Sequence, residues 1–202
     1  TVIVQDDCGV QVSLHTAGRR GVAGALLVEK VAGAAAEQGA PLDEVARLAQ
    51  KASDATRSMG LALGGVTVPH SGHLSFSLAE DEVEMGVGIH GEPGCRRGAL
   101  EEADALTTEL YTQIRDDLFL REGERVIALV NGMGGTPLSE LYVVFRRLAS
   151  LLDEDLIVCD RQMVGDYVTS LEMPGVSITL MRVDDELLSL FDAPVRTIAW
   201  TN

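Results

Sequence analysis

A histidine flanked by glycines is the residue of this sequence best suited to chemistry. His90 lies in the run Glu84 to Gly94, between Gly88 and Gly91. Glycines remove side-chain cover and let a backbone or a small molecule approach closely, so we predict that the imidazole faces a cavity. A neutral imidazole is a nucleophile and a carrier of protons. The alternative is a core histidine whose ring nitrogens are hydrogen-bonded to backbone groups.

Two other groups of residues offer less chemistry. His70 and His73 are close enough in sequence to share a metal ion, but two loop histidines without a third ligand nearby make a weak site, and we predict no metal. Cys8, Cys95 and Cys159 are far apart and form no CxxC pair. This spacing indicates reduced thiols and not a disulfide framework.

The composition restricts the class of protein. A chain of 202 residues, 46% of them hydrophobic, suits one globular domain with a sizeable core. Its net charge of −15 argues against a nucleic-acid partner, which requires a basic surface. We find no apolar run of the roughly 18 residues that a membrane span needs and no N-terminal leader, and we therefore expect a cytoplasmic protein. The start without Met, inside a predicted strand from Thr1 to Val4, suggests the middle of a longer protein.

Hydrophobic periodicity predicts alternating helices and strands, with His90 at the end of a strand. Gly91 and Pro93 stop that strand immediately after the histidine. Together with the resemblance described below, the pattern favours an α/β two-layer sandwich, in which helices pack on a mixed sheet of about six strands. The predicted helices span about residues 19–38, 41–59, 101–118, 138–152 and a short stretch from 184, and the predicted strands span about 61–68, 85–90, 125–130, 155–159, 163–169 and 176–183.

A second glycine-rich stretch, Asn131 to Pro137, joins a predicted strand to a predicted helix. Backbone N–H groups in such a loop can bind an anion. However, the spacing is not GxGxxG, and no Lys-Ser/Thr pair follows the last glycine as a P-loop requires. Thr136 as the N-cap and Pro137 as the first helical residue give a structural explanation. Both interpretations stay open at this point.

The run Gly88 to Gly94 (GIHGEPG) resembles the signature of the K subunit of dihydroxyacetone (glycerone) kinase. Four more segments resemble the same family, in the same order and across nearly the whole chain. Together they identify residues 1–202 as a single α/β domain, the C-terminal subdomain of a longer K subunit whose N-terminal half is absent. These segments are His15 to Ala23 (HTAGRRGVA), Lys30 to Glu37 (KVAGAAAE), Leu129 to Tyr142 (LVNGMGGTPLSELY) and Thr169 to Val195.

The resemblance implies a catalytic and substrate-binding role for His90. In the family, the matching histidine bonds covalently to the C2 carbonyl of dihydroxyacetone and forms a hemiaminal, which glycerol cannot form because it has no carbonyl. Phosphate is then transferred to a terminal hydroxyl. The general base belongs to the earlier half of the K subunit, and ATP or ADP with Mg²⁺ belongs to a separate L subunit or domain. We therefore expect a K-subunit homodimer, no cofactor in this chain and no activity of the fragment alone.

Three functions remain open from the sequence. The first is a dihydroxyacetone kinase subunit, a phosphotransferase of glycerol metabolism. The second is a non-catalytic paralogue that keeps His90, senses dihydroxyacetone and acts as a transcriptional co-regulator. The third is a soluble α/β small-molecule-binding domain with His90 in its core. Detection of a covalent adduct with dihydroxyacetone would separate the first two from the third.

Overall fold

Six strands and five helices make up the part of the chain that the structure describes. The computed structural model describes residues 1–9 and 18–201, so residues 15–17 of the segment His15 to Ala23 lie outside the described residues. The helices are α1 (Gly24–Glu37), α2 (Leu42–Asp54), α3 (Ala103–Leu118), α4 (Leu138–Glu154) and α5 (Asp185–Phe191), and the strands are β1 (Thr56–Ala62), β2 (Glu82–Met85), β3 (Arg96–Ala99), β4 (Arg125–Gly132), β5 (Val158–Gly165) and β6 (Gly175–Arg182).

The six strands form one mixed sheet in the order β3-β2-β1-β6-β4-β5. β4 and β5 run parallel, and the other neighbouring pairs of named strands are antiparallel. α4 supplies the crossover that a parallel connection requires. None of the helices within the described ranges is both long and apolar enough to cross a membrane.

Apolar side chains alternate along the central strands and build a core on each face of the sheet. Val126, Ala128 and Val130 of β4 pack with apolar residues of α3 and α4, whereas Ile127 and Leu129 pack with those of α1, α2 and α5. The helices expected to pack on the sheet are therefore divided between its two faces. The α/β sandwich on a mixed six-stranded sheet is confirmed.

Some predicted boundaries are wrong because a glycine lies inside a strand. We predicted that Gly60 ends the second helix and that a strand follows at 61–68, but α2 ends at Asp54 and β1 already contains Gly60. A Cβ at position 60 would lie 2.7 Å from Cε of Met133. The glycine therefore allows close packing within a strand and does not stop a helix. A second correction concerns the two strands predicted at 155–159 and 163–169, in whose place the structure has the single strand β5.

Asp6 organises the start of α1 from outside the helix. Residue Ala23 at the N-cap position provides no side-chain cap. Instead, the buried carboxyl group of Asp6 accepts hydrogen bonds from the backbone N–H groups of Val22, at 2.8 Å, and Gly24, at 2.7 Å. Burial raises the pKa of Asp6, although hydrogen bonds from Ser58 and the backbone oppose the shift. The segment 18–23 is thus tied to the N-terminal segment, in which the predicted strand from Thr1 to Val4 does not form.

Candidate functional site

His90 lies in a loop and not at the end of a strand, which corrects the prediction. β2 ends at Met85, and Gly86 takes a positive φ of 74° that turns the chain away. β1 has no free edge for a longer strand, because the N–H and C=O groups of Ser58 already bond to the backbone of Asp6 and Cys8. We call residues 86–95, which join β2 to β3, the His90 loop.

The His90 loop is held by short-range backbone hydrogen bonds. The base of the loop is closed by the N–H of Cys95, which donates to the carbonyl oxygen of Met85, the last residue of β2, at 2.8 Å. Within it, the N–H of Gly88 donates to Glu92 O at 3.2 Å, and the N–H of Gly91 donates to Gly88 O at 3.3 Å. Gly91 adopts a φ of 77°, a conformation that glycine adopts without strain. The resulting turn places residue 90 at its tip.

The His90 side chain is exposed, and one of its ring nitrogens faces a carboxylate. The side chain is 79% exposed, so the interpretation as a core histidine is wrong. Nδ1 lies 3.2 Å from Oε1 of Glu92, and the backbone N–H of His90 donates to Oε2 at 2.9 Å. Nε2 has no hydrogen-bond partner among the described residues. The prediction that the imidazole faces a cavity is wrong as well, because the cavity of about 140 Å³ beside the loop is lined by Gly91 and Pro93 and not by the imidazole.

Glu92 is the site residue that the sequence analysis passed over. Partial burial opposes its ionisation, but hydrogen bonds from the backbone N–H groups of Glu92 and His90, and then from the His90 ring, outweigh burial and lower the pKa of Glu92. Its carboxylate is therefore an acceptor for a proton on Nδ1. The signal was present in the sequence, because a carboxylate two residues after a histidine in a glycine-rich turn can reach the imidazole.

Arg20 reaches the His90 loop from the segment before α1. Its guanidinium donates to the carbonyl oxygen of Gly86 at 2.7 Å and to that of Pro93 at 3.2 Å. It also donates through Nε to Oδ2 of Asp7 at 2.8 Å. Sequence reasoning placed Arg20 in a family segment without giving it a role, because a contact across 66 residues leaves no local pattern.

Gly94 is a position of the loop where a side chain does not fit. A Cβ there would lie 2.0 Å from the carbonyl oxygen of Met85, which is backbone and cannot rotate away. We predict that Gly94→Ala lowers the free energy of unfolding by about 1–3 kcal/mol. Gly33→Ala is the control, since Gly33 lies in α1 with open space around it and should gain up to about 1 kcal/mol. Denaturant unfolding of both variants checks this, and equal stability of Gly94→Ala and wild type would contradict the geometry.

Backbone N–H groups of the glycine-rich stretch at 131–137 already bond to carbonyl groups of the same chain. Gly135 N–H donates to Met173 O, and Met133 N–H donates to Gly175 O. The predicted N-cap role of Thr136 is wrong, because Pro137 is the N-cap residue. The Thr136 hydroxyl instead donates to the carbonyl oxygen of Gly175 and accepts from its N–H, both at 2.8 Å. These contacts favour the structural interpretation of the stretch.

The remaining candidate residues do not join the site. His70 and His73 lie in an exposed turn, and no group of three His, Cys, Asp or Glu side chains in residues 1–9 and 18–201 is placed to hold a metal ion. Cys8, Cys95 and Cys159 are free thiols. Burial raises the pKa of Cys8 to about 12, so this thiol stays protonated and is no nucleophile.

Comparison with known protein families shows the family to which this chain belongs. The Dak1 domain model matches residues 1–199. This chain belongs to the Dak1 domain family. Among characterised Dak1 relatives, the dihydroxyacetone-binding subunit DhaK of the PEP-dependent dihydroxyacetone kinase of Escherichia coli (strain K12) is 46% identical over 223 aligned positions, which cover 98% of this chain and 63% of the relative.

Solved structures show the same Dak1 fold. The dihydroxyacetone kinase operon co-activator Dha-DhaQ superposes with a TM-score of 0.91 at 35% identity, over 99% of this chain and 62% of that protein. The dihydroxyacetone kinase from C. freundii in complex with AMP-PNP and Mg²⁺ gives a TM-score of 0.85 at 29% identity, over 99% of this chain and 36% of that protein. This Dak1 chain thus spans less than two thirds of the length of each of these three proteins.

Proposed function

We propose that this chain is the dihydroxyacetone-binding part of a dihydroxyacetone kinase, the C-terminal subdomain of a longer K subunit. The observation that carries the proposal is the exposed imidazole of His90, whose Nδ1 faces Glu92 while Nε2 has no partner among the described residues. His90 is the catalytic and substrate-binding residue of this proposal. It holds the substrate ketone as a hemiaminal while phosphate is transferred to a terminal hydroxyl.

Glu92 favours one tautomer of the imidazole. A carboxylate accepts hydrogen bonds only, so the proton of neutral His90 belongs on Nδ1, where it points at Glu92 Oε1 at 3.2 Å. Nε2 then carries the lone pair. This nitrogen attacks C2 of dihydroxyacetone, and a new N–C bond forms. The π pair of the C=O bond moves to oxygen, which takes a proton and ends as a hydroxyl, while the ring gives up the Nδ1 proton. The reaction is an addition without a leaving group.

Covalent attachment explains selection for a ketone. Glycerol carries the same terminal hydroxyls but no carbonyl, so it can form hydrogen bonds and no N–C bond. A surface imidazole has the access that this addition needs, because glycines on both sides leave its approach open. The proposal therefore assigns discrimination to bond formation at His90 and not to the shape of a closed pocket.

The phosphoryl donor belongs to a partner in this proposal. Two N–H groups of the glycine-rich stretch already bond to carbonyl groups of its own chain, which supports placing the nucleotide elsewhere. ATP or ADP with Mg²⁺ would bind to a phosphoryl-donating L subunit or domain. We further propose a cytoplasmic K-subunit homodimer that acts in glycerol metabolism.

A second candidate function is favoured by one comparison. The co-activator superposes more closely than the C. freundii kinase, with a TM-score of 0.91 against 0.85. A co-activator of this kind would keep His90 as a sensor of dihydroxyacetone without phosphorylating it. Phosphorylation by the full-length protein together with its L partner would support the kinase, and adduct formation without any turnover would support the sensor.

Intact-mass spectrometry of the full-length protein tests the proposed function. With dihydroxyacetone, the protein should gain the full mass of one substrate molecule, because addition releases no water. With glycerol at the same concentration, it should gain none that survives denaturation. Absence of the adduct with dihydroxyacetone, under conditions where the substrate is bound, would refute the covalent role of His90.

Glu92→Gln tests how the imidazole is oriented. Glu92 accepts from the His90 ring through Oε1 and from the His90 N–H through Oε2, whereas an amide replaces one acceptor with a donor. We expect half-saturation of the adduct to require roughly five- to tenfold more dihydroxyacetone, the effect of one weakened charged hydrogen bond. Glu44→Gln, on α2, should leave it unchanged. Equal behaviour of the two variants would refute the role of Glu92.

Acid unfolding provides a second measurement on Glu92. Because its pKa in the folded protein lies below the ordinary value of 4.5, its ionised form stabilises the fold above that pH. The contribution is lost as the pH falls through the lowered pKa. The difference in free energy of unfolding between wild type and Glu92→Gln should therefore be constant above pH 4.5 and shrink below it. A difference that grows on acidification would contradict this assignment.

A further inference from the structure

Arg20 connects the two ends of the turn that carries His90. Its guanidinium donates to Gly86 O, four residues before the histidine, and to Pro93 O, three residues after it. Arg20 itself is only 9% exposed, and its bond to Gly86 O is buried while that to Pro93 O is partly buried. A loop whose two ends bond to one buried planar group cannot shift one end without losing a charge-assisted hydrogen bond.

Asp7 fixes Arg20 in turn. Its Oδ2 accepts a hydrogen bond from Nε at 2.8 Å and forms an ion pair with Nη2 at 2.7 Å, and the Asp7 side chain is almost fully buried. The other oxygen, Oδ1, accepts from the N–H of Gly9 at 2.8 Å. The Gly9 backbone lies directly against the loop, since a Cβ at this position would be 2.8 Å from Cα of Gly86. One hydrogen bond and one ion-pair contact from Asp7 thus set the orientation of the guanidinium.

We propose that Arg20, held by Asp7, is a positioning residue for the addition of the ketone to His90. The inference rests on the proposed function, because it assigns a task to the loop that presents the nucleophile. A loop ordered before the substrate arrives loses little conformational entropy on binding, and the reacting nitrogen is already in place. Lysine cannot replace Arg20, because one ammonium group cannot reach Asp7 and two separated carbonyl groups in the geometry of a planar fork.

Arg57 provides a matched control. It also donates to one aspartate, through Nε to Asp117 at 2.5 Å, and to two backbone carbonyl groups, those of Asp54 and Thr56. None of these partners belongs to the His90 loop. Arg57→Lys therefore removes the same kinds of bonds from the fold as Arg20→Lys, but none of the partners that it loses lies in the loop that carries the proposed nucleophile.

The experiment compares Arg20→Lys and Arg57→Lys in the full-length protein. The readouts are the dihydroxyacetone concentration that half-saturates the adduct, hydrogen exchange of the peptide 86–95, and the Tm. Arg20→Lys should raise the half-saturating concentration by at least about tenfold, as expected for one lost charged hydrogen bond, and accelerate exchange in the loop. Arg57→Lys should lower the Tm and leave the other two readouts at wild-type values.

Each outcome decides between a positioning and a general structural role. An unchanged half-saturating concentration for Arg20→Lys, or an equal rise for Arg57→Lys, overturns the inference. If the wild type forms no adduct, the proposed function fails, and the exchange of residues 86–95 still decides whether Arg20 orders the loop. If Arg20→Lys does not fold, Asp7→Asn removes one acceptor of the same network, and the same readouts apply to it.

Discussion

Replacing His90 with alanine in the full-length protein should abolish the covalent adduct with dihydroxyacetone. In the proposed addition the imidazole supplies the nucleophilic nitrogen, and alanine offers none, so the expected loss is complete and not partial. Discrimination between dihydroxyacetone and glycerol should fall with it, since both ligands would then bind through hydrogen bonds alone. Intact-mass spectrometry measures the adduct, and competition with glycerol measures the discrimination.

His70→Ala is the control for this experiment. His70 lies in an exposed turn and is a surface histidine like His90, but no carboxylate is bonded to its ring in the described part of the chain. Its replacement should leave the mass gain of the protein unchanged. An adduct that persists in His90→Ala and disappears in His70→Ala would move the covalent site away from the glycine-rich loop.

Residues 1–202 alone should transfer no phosphate to dihydroxyacetone when ATP and Mg²⁺ are supplied. Both lysines of the chain are already engaged: Lys30 donates to the carbonyl oxygens of Leu190 and Ala193, and Lys51 pairs with Asp184 and Glu186. No P-loop is present in the sequence to bind a triphosphate. The expected product signal in a phosphorus NMR assay equals the enzyme-free background.

The full-length protein with its L partner is the positive control for that assay. It should form dihydroxyacetone phosphate under the same conditions if the parent protein is a kinase. Turnover by residues 1–202 alone would show that the base and the phosphoryl-donor site lie within this chain, and it would contradict the assignment of these parts to other segments and partners.

The regular elements could be predicted where local pattern and tertiary structure agree. α3 and α4 begin and end within two residues of the ranges predicted from apolar spacing, and β6 follows from the alternation of Val176, Ile178 and Leu180. The prediction failed where a long-range contact decides the outcome. We predicted from the sequence that Gly60 ends a helix. It lies inside β1 instead, where the missing side chain allows the close approach of Met133.

The sequence singled out His90 as the candidate residue but did not predict the geometry around it. The glycines around His90 predicted an imidazole that faces a cavity, but the ring is exposed at the tip of a turn, and the cavity beside the loop is lined by Gly91 and Pro93. The strand expected before His90 is cut short by the N-terminal segment, which takes the edge of β1 at Ser58. The contact of Arg20 with Gly86 joins positions far apart in sequence, and no periodicity or local motif reports such a pairing.

A crystal structure of the full-length protein soaked with dihydroxyacetone is the most direct test of the covalent role of His90. We expect continuous density between Nε2 of His90 and C2 of the substrate, at a single-bond length of about 1.5 Å. Nδ1 should remain on the side of Glu92. Substrate bound with C2 more than about 3.2 Å from the imidazole, outside even hydrogen-bond distance, would leave His90 without a covalent role.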